Sequence, residues 1–129
     1  MADYERSVTV AAAPGVAFPI LANPANLPRY VATMVTARRT QGESLHVAAE
    51  VAGRHEEGDA RYHVDDAARR LEWGGGGDSH YRGWLQVGEA DGGASVTVHI
   101  HAVHDQDDAE VNRALDETMA NIERLITAG

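Results

Sequence analysis

Three histidines fall within six residues of the stretch VTVHIHAVH, at His99, His101 and His104. The chain has no cysteine, so imidazole is where transition-metal chemistry would reside if the protein has any. A zinc site needs at least three protein ligands converging on one point, so the face each ring occupies decides the matter. Val96, Val98, Ile100 and Ala102 share one face of a strand; Thr97, His99 and His101 share the other. Turning the strand over would expose three large aliphatic side chains, at roughly 1.5–3 kcal/mol each. It would also bury two imidazoles, at about 1–3 kcal/mol for each polar group left unpaired. Both costs place His99 and His101 on the wet face. His104 has the opposite parity and lies near the strand end. A pair at i and i+2 is a weak metal motif, and a solvated strand face is the reading preferred here.

Other stretches with chemical potential resolve in the same direction. The run GGGGDS after Trp73 has the glycines of a phosphate cradle, but a strand rather than a helix follows it, and the chain contains no lysine. It reads as a hairpin turn. Trp84 shares the wet face with His80 and Arg82, either as a homodimer contact, since Trp and Arg favour interface centres, or as a lone aromatic resting on a neighbour. The second reading is preferred.

The elements that must position these residues follow from periodicity. Residues 3–11 alternate, with Tyr4, Arg6, Val8 and Val10 on one face. Pro14 suits a helix start. PGVAFPILA then puts Val16, Ile20 and Leu21 near one face, with Pro19 too deep for an undisturbed helix. Pro24 and Pro28 keep a second helix very short. From Val31 to about Asp105 the period is two, punctuated by Gly42, Gly53, Gly74 to Gly77 and Asp91-Gly92-Gly93, which predicts an antiparallel meander with one dry face. From Asp107 to Ile126 the apolar residues recur at threes and fours, and one long amphipathic helix is expected.

The 129 residues, 43% hydrophobic, fit a single α+β domain over residues 1–129. A net charge of −9 with no basic stripe argues against nucleic acid and anionic membrane surfaces as partners. No targeting segment or membrane-spanning run is evident, so cytoplasmic localisation is the default expectation, without membrane insertion.

In element order and core positions the chain resembles the START-like, or SRPBCC, superfamily of polyketide cyclases, lipid carriers and Bet v 1-like proteins. The residues carrying the resemblance are SVTVAAAPGVAFPILANPANLPRY, the Gly83-x-Leu85-x-Val87 strand, the GGASVTV return and the terminal helix. The resemblance implies a helix-grip fold: a curved seven-stranded antiparallel sheet, two short helices, and a long C-terminal helix over a cavity. It also implies that the last strand lies between the first and the sixth, which would leave Glu5 or His80 as a third ligand if a metal bound.

Combined with the face assignments, that fold gives a ligand-lining set of Tyr62, Trp73, Tyr81, Leu85, Val98 and Ile100 from strands, with Met34 or Val35 from the second strand. Thr118, Met119 and Ile122 come from the helix. The same residues would also serve as ordinary core. Inward-facing Ala49, Gly58, Ala60, Gly83, Ala102 and Ala114 are small, which leaves room for a molecule. Most acids and histidines face outward, so no catalytic residue, metal or cofactor is assigned. The expected function is binding or transport of a small hydrophobic molecule, aromatic, polyketide-like or lipid-like. The alternative is a cyclase or dehydratase in which Tyr62, Tyr81 and Arg6 polarise a bound ketone.

Overall fold

Alternation along the chain becomes strand after strand. In a computed structural model, residues 2–31, 34–42, 44–51, 54–75, 82–102 and 108–128 are described. The strands are β1 (Ala2–Val10), β2 (Met34–Gln41), β3 (Ser44–Val51), β4 (Arg54–Asp65), β5 (Arg70–Gly75), β6 (Arg82–Ala90) and β7 (Gly93–Ala102). They form one seven-stranded antiparallel sheet in the order β1-β7-β6-β5-β4-β3-β2. Between β1 and β2 come α1 (Pro14–Ala22), a 3-10 turn (Pro24–Asn26) and the one-turn α2 (Leu27–Tyr30). The long α3 (Asp108–Ala128) closes the chain and packs along β1 and against α2. This is the helix-grip architecture expected from the sequence. Among the described residues, no helix is long and apolar enough to cross a membrane.

Register places chemistry on each face in rows. Tyr4, Ile100, Gly83, Trp73 and Tyr62 stand side by side on the concave face. One residue out of phase, Glu5, His99, Trp84, Glu72 and His63 form the corresponding row on the convex face. Side chains alternate between faces with a period of two, so these rows are inverse images of each other.

Three local expectations are corrected. Val16, expected near the inner side of α1, is 56% exposed, and the buried face is Ala17, Phe18 and Leu21. Pro19 does not interrupt α1: it points to solvent, and the helix continues to Ala22. Gly74 and Gly75 belong to β5, opposite Arg61 and Ala60, so the glycine run begins in strand rather than turn. The choice between Met34 and Val35 is decided by a bulge: Met34 stands opposite Ala49 and Thr36 opposite Ala48, leaving Val35 as the extra residue, 49% exposed.

The α1 terminus explains much of how the helices are seated. Its last carbonyls have no intrahelical partner, and the chain turns away in extended backbone at Asn23 without a left-handed glycine cap. Side chains supply the missing donors. Asn26 Nδ2 donates to Ile20 O at 2.8 Å, Tyr30 Oη to Leu21 O at 2.8 Å, and Tyr62 Oη to Ala22 O at 2.8 Å. Asn121 Nδ2 on α3 donates to Tyr30 O at 3.3 Å, which links the same corner to the long helix.

Candidate functional site: the concave face of the sheet

The concave face is filled at one end and open at the other. Toward β1, β7 and β6, with Leu71 of the adjoining β5, Leu85, Val87, Val96 and Val98 are buried in one continuous cluster with Leu115, Met119, Ile122 and Ile126 of α3. Five of the residues expected to line a cavity, Tyr62, Leu85, Val98, Met119 and Ile122, are part of this packed core. Burying such side chains contributes about 1.5–3 kcal/mol each, enough to explain them without a ligand.

Toward β2, β3 and β4 the covering is thinner. Ala37, Val47 and Gly58 form one inward row and Leu45 with Ala60 the next. Leu45 is buried, but Ala37, Val47 and Ala60 are half-buried and Gly58 is exposed. A side chain built at Gly58 would meet nothing within 4 Å. Trp73 of β5, between the two ends, and Ile100 of β7 are also only half-buried. Gly83 differs from Gly58. The space above it is occupied by the Trp73 indole, which a Cβ at position 83 would meet at 2.6 Å. Of the small inward residues, then, Gly83 seats a ring, while Gly58 and Ala60 leave room.

The inward polar groups are already engaged. The Tyr62 hydroxyl donates its proton to Ala22 O, and Thr118 Oγ1 donates to Ala114 O at 2.8 Å, one turn back on α3. Arg6 reaches α3 with Nε on Asp116 Oδ1 at 2.9 Å and Nη2 on Asn112 Oδ1 at 2.7 Å, while Nη1 binds Glu5 O at 2.9 Å. Tyr30, absent from the sequence-based list, lies fully inside. Burial, then the neighbouring Tyr62, pushes its phenol well above the ordinary tyrosine value. No described group here is set to act as a base near neutral pH. Tyr81, like His80 and His104, lies outside the described residues.

An open depression of about 440 Å³ lies elsewhere, between the Ala11 to Pro14 connection and the β6–β7 turn at Glu89 to Gly93. It shares no residue with the concave lining. Its walls are mostly alanine, glycine and main chain, so it offers little for recognition.

On the convex face His46, His99 and His101 are half-buried and bound to carboxylates. His99 Nδ1 contacts Glu5 Oε1 at 3.2 Å and Nε2 contacts Asp3 Oδ1 at 3.2 Å; His101 Nδ1 contacts Asp3 Oδ1 at 2.7 Å. The hydrogen bonds from His101, and after them those from His99, hold the Asp3 carboxyl below its usual value, against an opposing effect of burial. Trp84 stacks on His99 with ring centroids 5.3 Å apart and planes 5° from parallel, and the Arg70 guanidinium lies 4.3 Å from its ring centre. Trp84 therefore rests on neighbours of its own sheet. Across β3 and β4, His46 bridges Glu57 Oε1 at 3.0 Å and Asp59 Oδ1 at 3.2 Å, and those bonds raise its value above that of a free imidazole. Glu5 is the neighbour that the implied strand order placed beside His99. Among the described residues, however, no group of three or more His, Asp or Glu is arranged to hold a metal ion.

Of the sequence-based list, the structure sets Tyr62, Trp73 and Ile100 in one row of the concave face. The list did not include the half-buried inward Val47 or the interior phenol of Tyr30. Val47 was detectable from parity, because it shares a face with Leu45. Tyr30 carried no such signal, since α2 is one turn long.

The whole chain, residues 1–129, matches the family described as polyketide cyclase / dehydrase and lipid transport. The chain belongs to that family. No curated protein matches it by sequence. Among solved structures, TTHA0849 from Thermus thermophilus is similar with a TM-score of 0.82 at 12% identity, covering 98% of each chain. The Zhui aromatase/cyclase from Streptomyces sp. R1128 gives a TM-score of 0.77 at 16% identity, over 98% of this chain and 93% of that one. Ara h 8.0201 gives 0.67 at 17% identity over 99% of each. At these identities the structural likeness establishes the fold.

Proposed function

We propose that this member of the polyketide cyclase / dehydrase and lipid transport family binds and carries a small hydrophobic molecule, aromatic, polyketide-like or lipid-like, against the open end of its concave face. One observation supports this above the others: apolar residues that alternation aims inward, Val47 beside the exposed Gly58, Ala60 two residues on, and Trp73 on the neighbouring β5, remain half-open, as does Ile100 further along the same face. Apolar surface of that kind gains about 25 cal/mol per Å² when a ligand covers it. Trp73 and Ile100 supply the contact, Tyr62 borders it, and Leu85, Val98, Thr118, Met119 and Ile122 form the floor and roof behind. Tyr81 completes the set on the sequence pattern alone.

The cyclase or dehydratase alternative is consistent with the family's description and with the aromatase/cyclase among its structural neighbours. It needs proton donors for a ketone oxygen. The protons of Tyr62 and Thr118 are given to main-chain carbonyls, and Arg6 is held by α3, which favours the carrier. The test is the mass of the purified protein before and after denaturation, followed by titration of a Trp84→Phe variant with hydrophobic aromatics, read through Trp73 fluorescence. An organic mass released on denaturation, or saturable quenching without turnover, supports the carrier. Turnover of a polyketide-like ketone that is lost in Tyr62→Phe establishes the enzyme. A bare chain together with flat titrations refutes both.

A further inference from the structure

We propose that Asp3, Glu5, His99 and His101 form a pH-sensitive clasp on the convex face that holds the first half of β1, and through it α3, in place over the concave face. The geometry is that of a two-strand tie. Both ring nitrogens of His99 meet carboxylate oxygens of β1, Glu5 on one side and Asp3 on the other, and His101 meets the same Asp3 oxygen. A carboxylate only accepts, so both nitrogens of His99 can donate only when the ring is the imidazolium ion. The full set of bonds therefore exists in the protonated state and loses members as the rings give up protons.

The same short segment connects to the other face. Between Asp3 and Glu5, Tyr4 enters the core opposite Ile100, and the next residue, Arg6, binds Asp116 and Asn112 of α3. β1 is an edge strand bonded on one side to β7, so its outer carboxylates and its inner Arg6 supply much of what fixes its first half. Further along, Ser7 and Thr97 join the same two strands through hydroxyls 2.8 Å apart, a contact that does not titrate in this range. The clasp thus acts locally, at residues 3–6.

Other charges face these rings. On β6, Arg82 stands opposite His101. Also on β6, Trp84 stacks on His99 and is itself covered by Arg70 of β5, which lies near Glu72 at 3.7 Å. The carboxylates of Asp3 and Glu5 are the anions these rings contact on β1. The clasp acts on β1 and α3 in the empty protein.

Amide hydrogen exchange across about pH 5 to about pH 8, the range in which histidine changes charge, tests it. After correction for intrinsic rates, residues 3–6 of β1 are expected to lose protection by about two- to fivefold relative to β4 as pH rises, as befits exposed ion pairs. The dependence disappears in the double variant His99→Gln, His101→Gln and in Asp3→Asn, Glu5→Gln, which retains both rings and guards against a misfolded histidine variant. It persists in His46→Gln, which lies outside the clasp. Protection of residues 3–6 that does not change with pH in the unaltered protein overturns the proposal. So does a dependence that survives in Asp3→Asn, Glu5→Gln.

Discussion

The two ends of the concave face are built from the same strands and the same alternation, yet they do different things. At the β1-β7-β6 end, Leu85, Val96 and Val98 share one cluster with Leu115 and Ile122 of α3 and are almost wholly removed from water. At the β2-β3-β4 end, Val47 and Ala60 point the same way and remain half-open, with Gly58 exposed between them. The difference follows from where α3 lies. It runs along β1 and reaches α2, which with the 3-10 turn meets β2, so α3 itself covers only one side of the sheet. An inward apolar residue is therefore core or candidate binding surface according to its position under the helix, not its type.

Substitutions at the two ends should separate stability from binding. The largest effect is expected for Leu85→Ala, which opens a cavity in the filled end and costs about 2–5 kcal/mol in denaturant unfolding. Gly83→Ala comes next: its Cβ would strike the Trp73 indole at 2.6 Å, so the ring must move, at about 1–3 kcal/mol and with a shift in Trp73 emission. Tyr62→Phe removes the donor to Ala22 O and is expected to cost about 0.5–1.5 kcal/mol, read as a lower melting temperature with the fold retained. Ala60→Leu, at the open end, should change stability by less than about 0.5 kcal/mol while abolishing ligand binding. If Ala60→Leu destabilised as much as Leu85→Ala, the two ends would not differ.

The smallest effect is electrostatic and lies on the convex face. The folded protein raises His46 above its value of 6.5, through its bonds to Glu57 and then Asp59. Protonation thus favours the folded state. The contribution is complete below the unfolded value and fades as pH rises through the higher folded one. The ring is only half-buried and its carboxylate partners are exposed, so solvent screens the pair and the effect is small. The melting temperature of His46→Gln should approach that of the unaltered protein above that window and fall below it in mildly acid solution. Asp3, held below 3.8, behaves oppositely: its contribution is present above that value and lost as pH falls through the folded one.

Much of the fold was legible because it is a pattern of parity. Strand faces, the meander and the long helix follow from spacings of two and of three to four, and register then set His99 beside Glu5. The finer features depend on partners distant in sequence. Nothing in the local sequence of Tyr62 announces that its hydroxyl will cap α1 at Ala22, forty residues earlier. Nor does Arg6 announce its partners Asn112 and Asp116. The exposure of Val16 and the bulge at Val35 escaped for a related reason: a helix of nine residues has several plausible faces, and one inserted residue shifts a strand's alternation. The candidate site was half legible. Parity named Trp73 and Ile100 correctly as inward residues, but it could not distinguish the covered part of the inner face from the open part.

The most direct test of the account is to map chemical shifts in the isotopically labelled protein as a small hydrophobic aromatic such as 2-naphthol is added. The account predicts saturable shifts at Val47, Gly58, Ala60, Ile100 and the Trp73 indole N–H, with the Trp84 indole on the convex face unmoved. Shifts confined to the convex face, or none at concentrations that saturate a hydrophobic site, would contradict it.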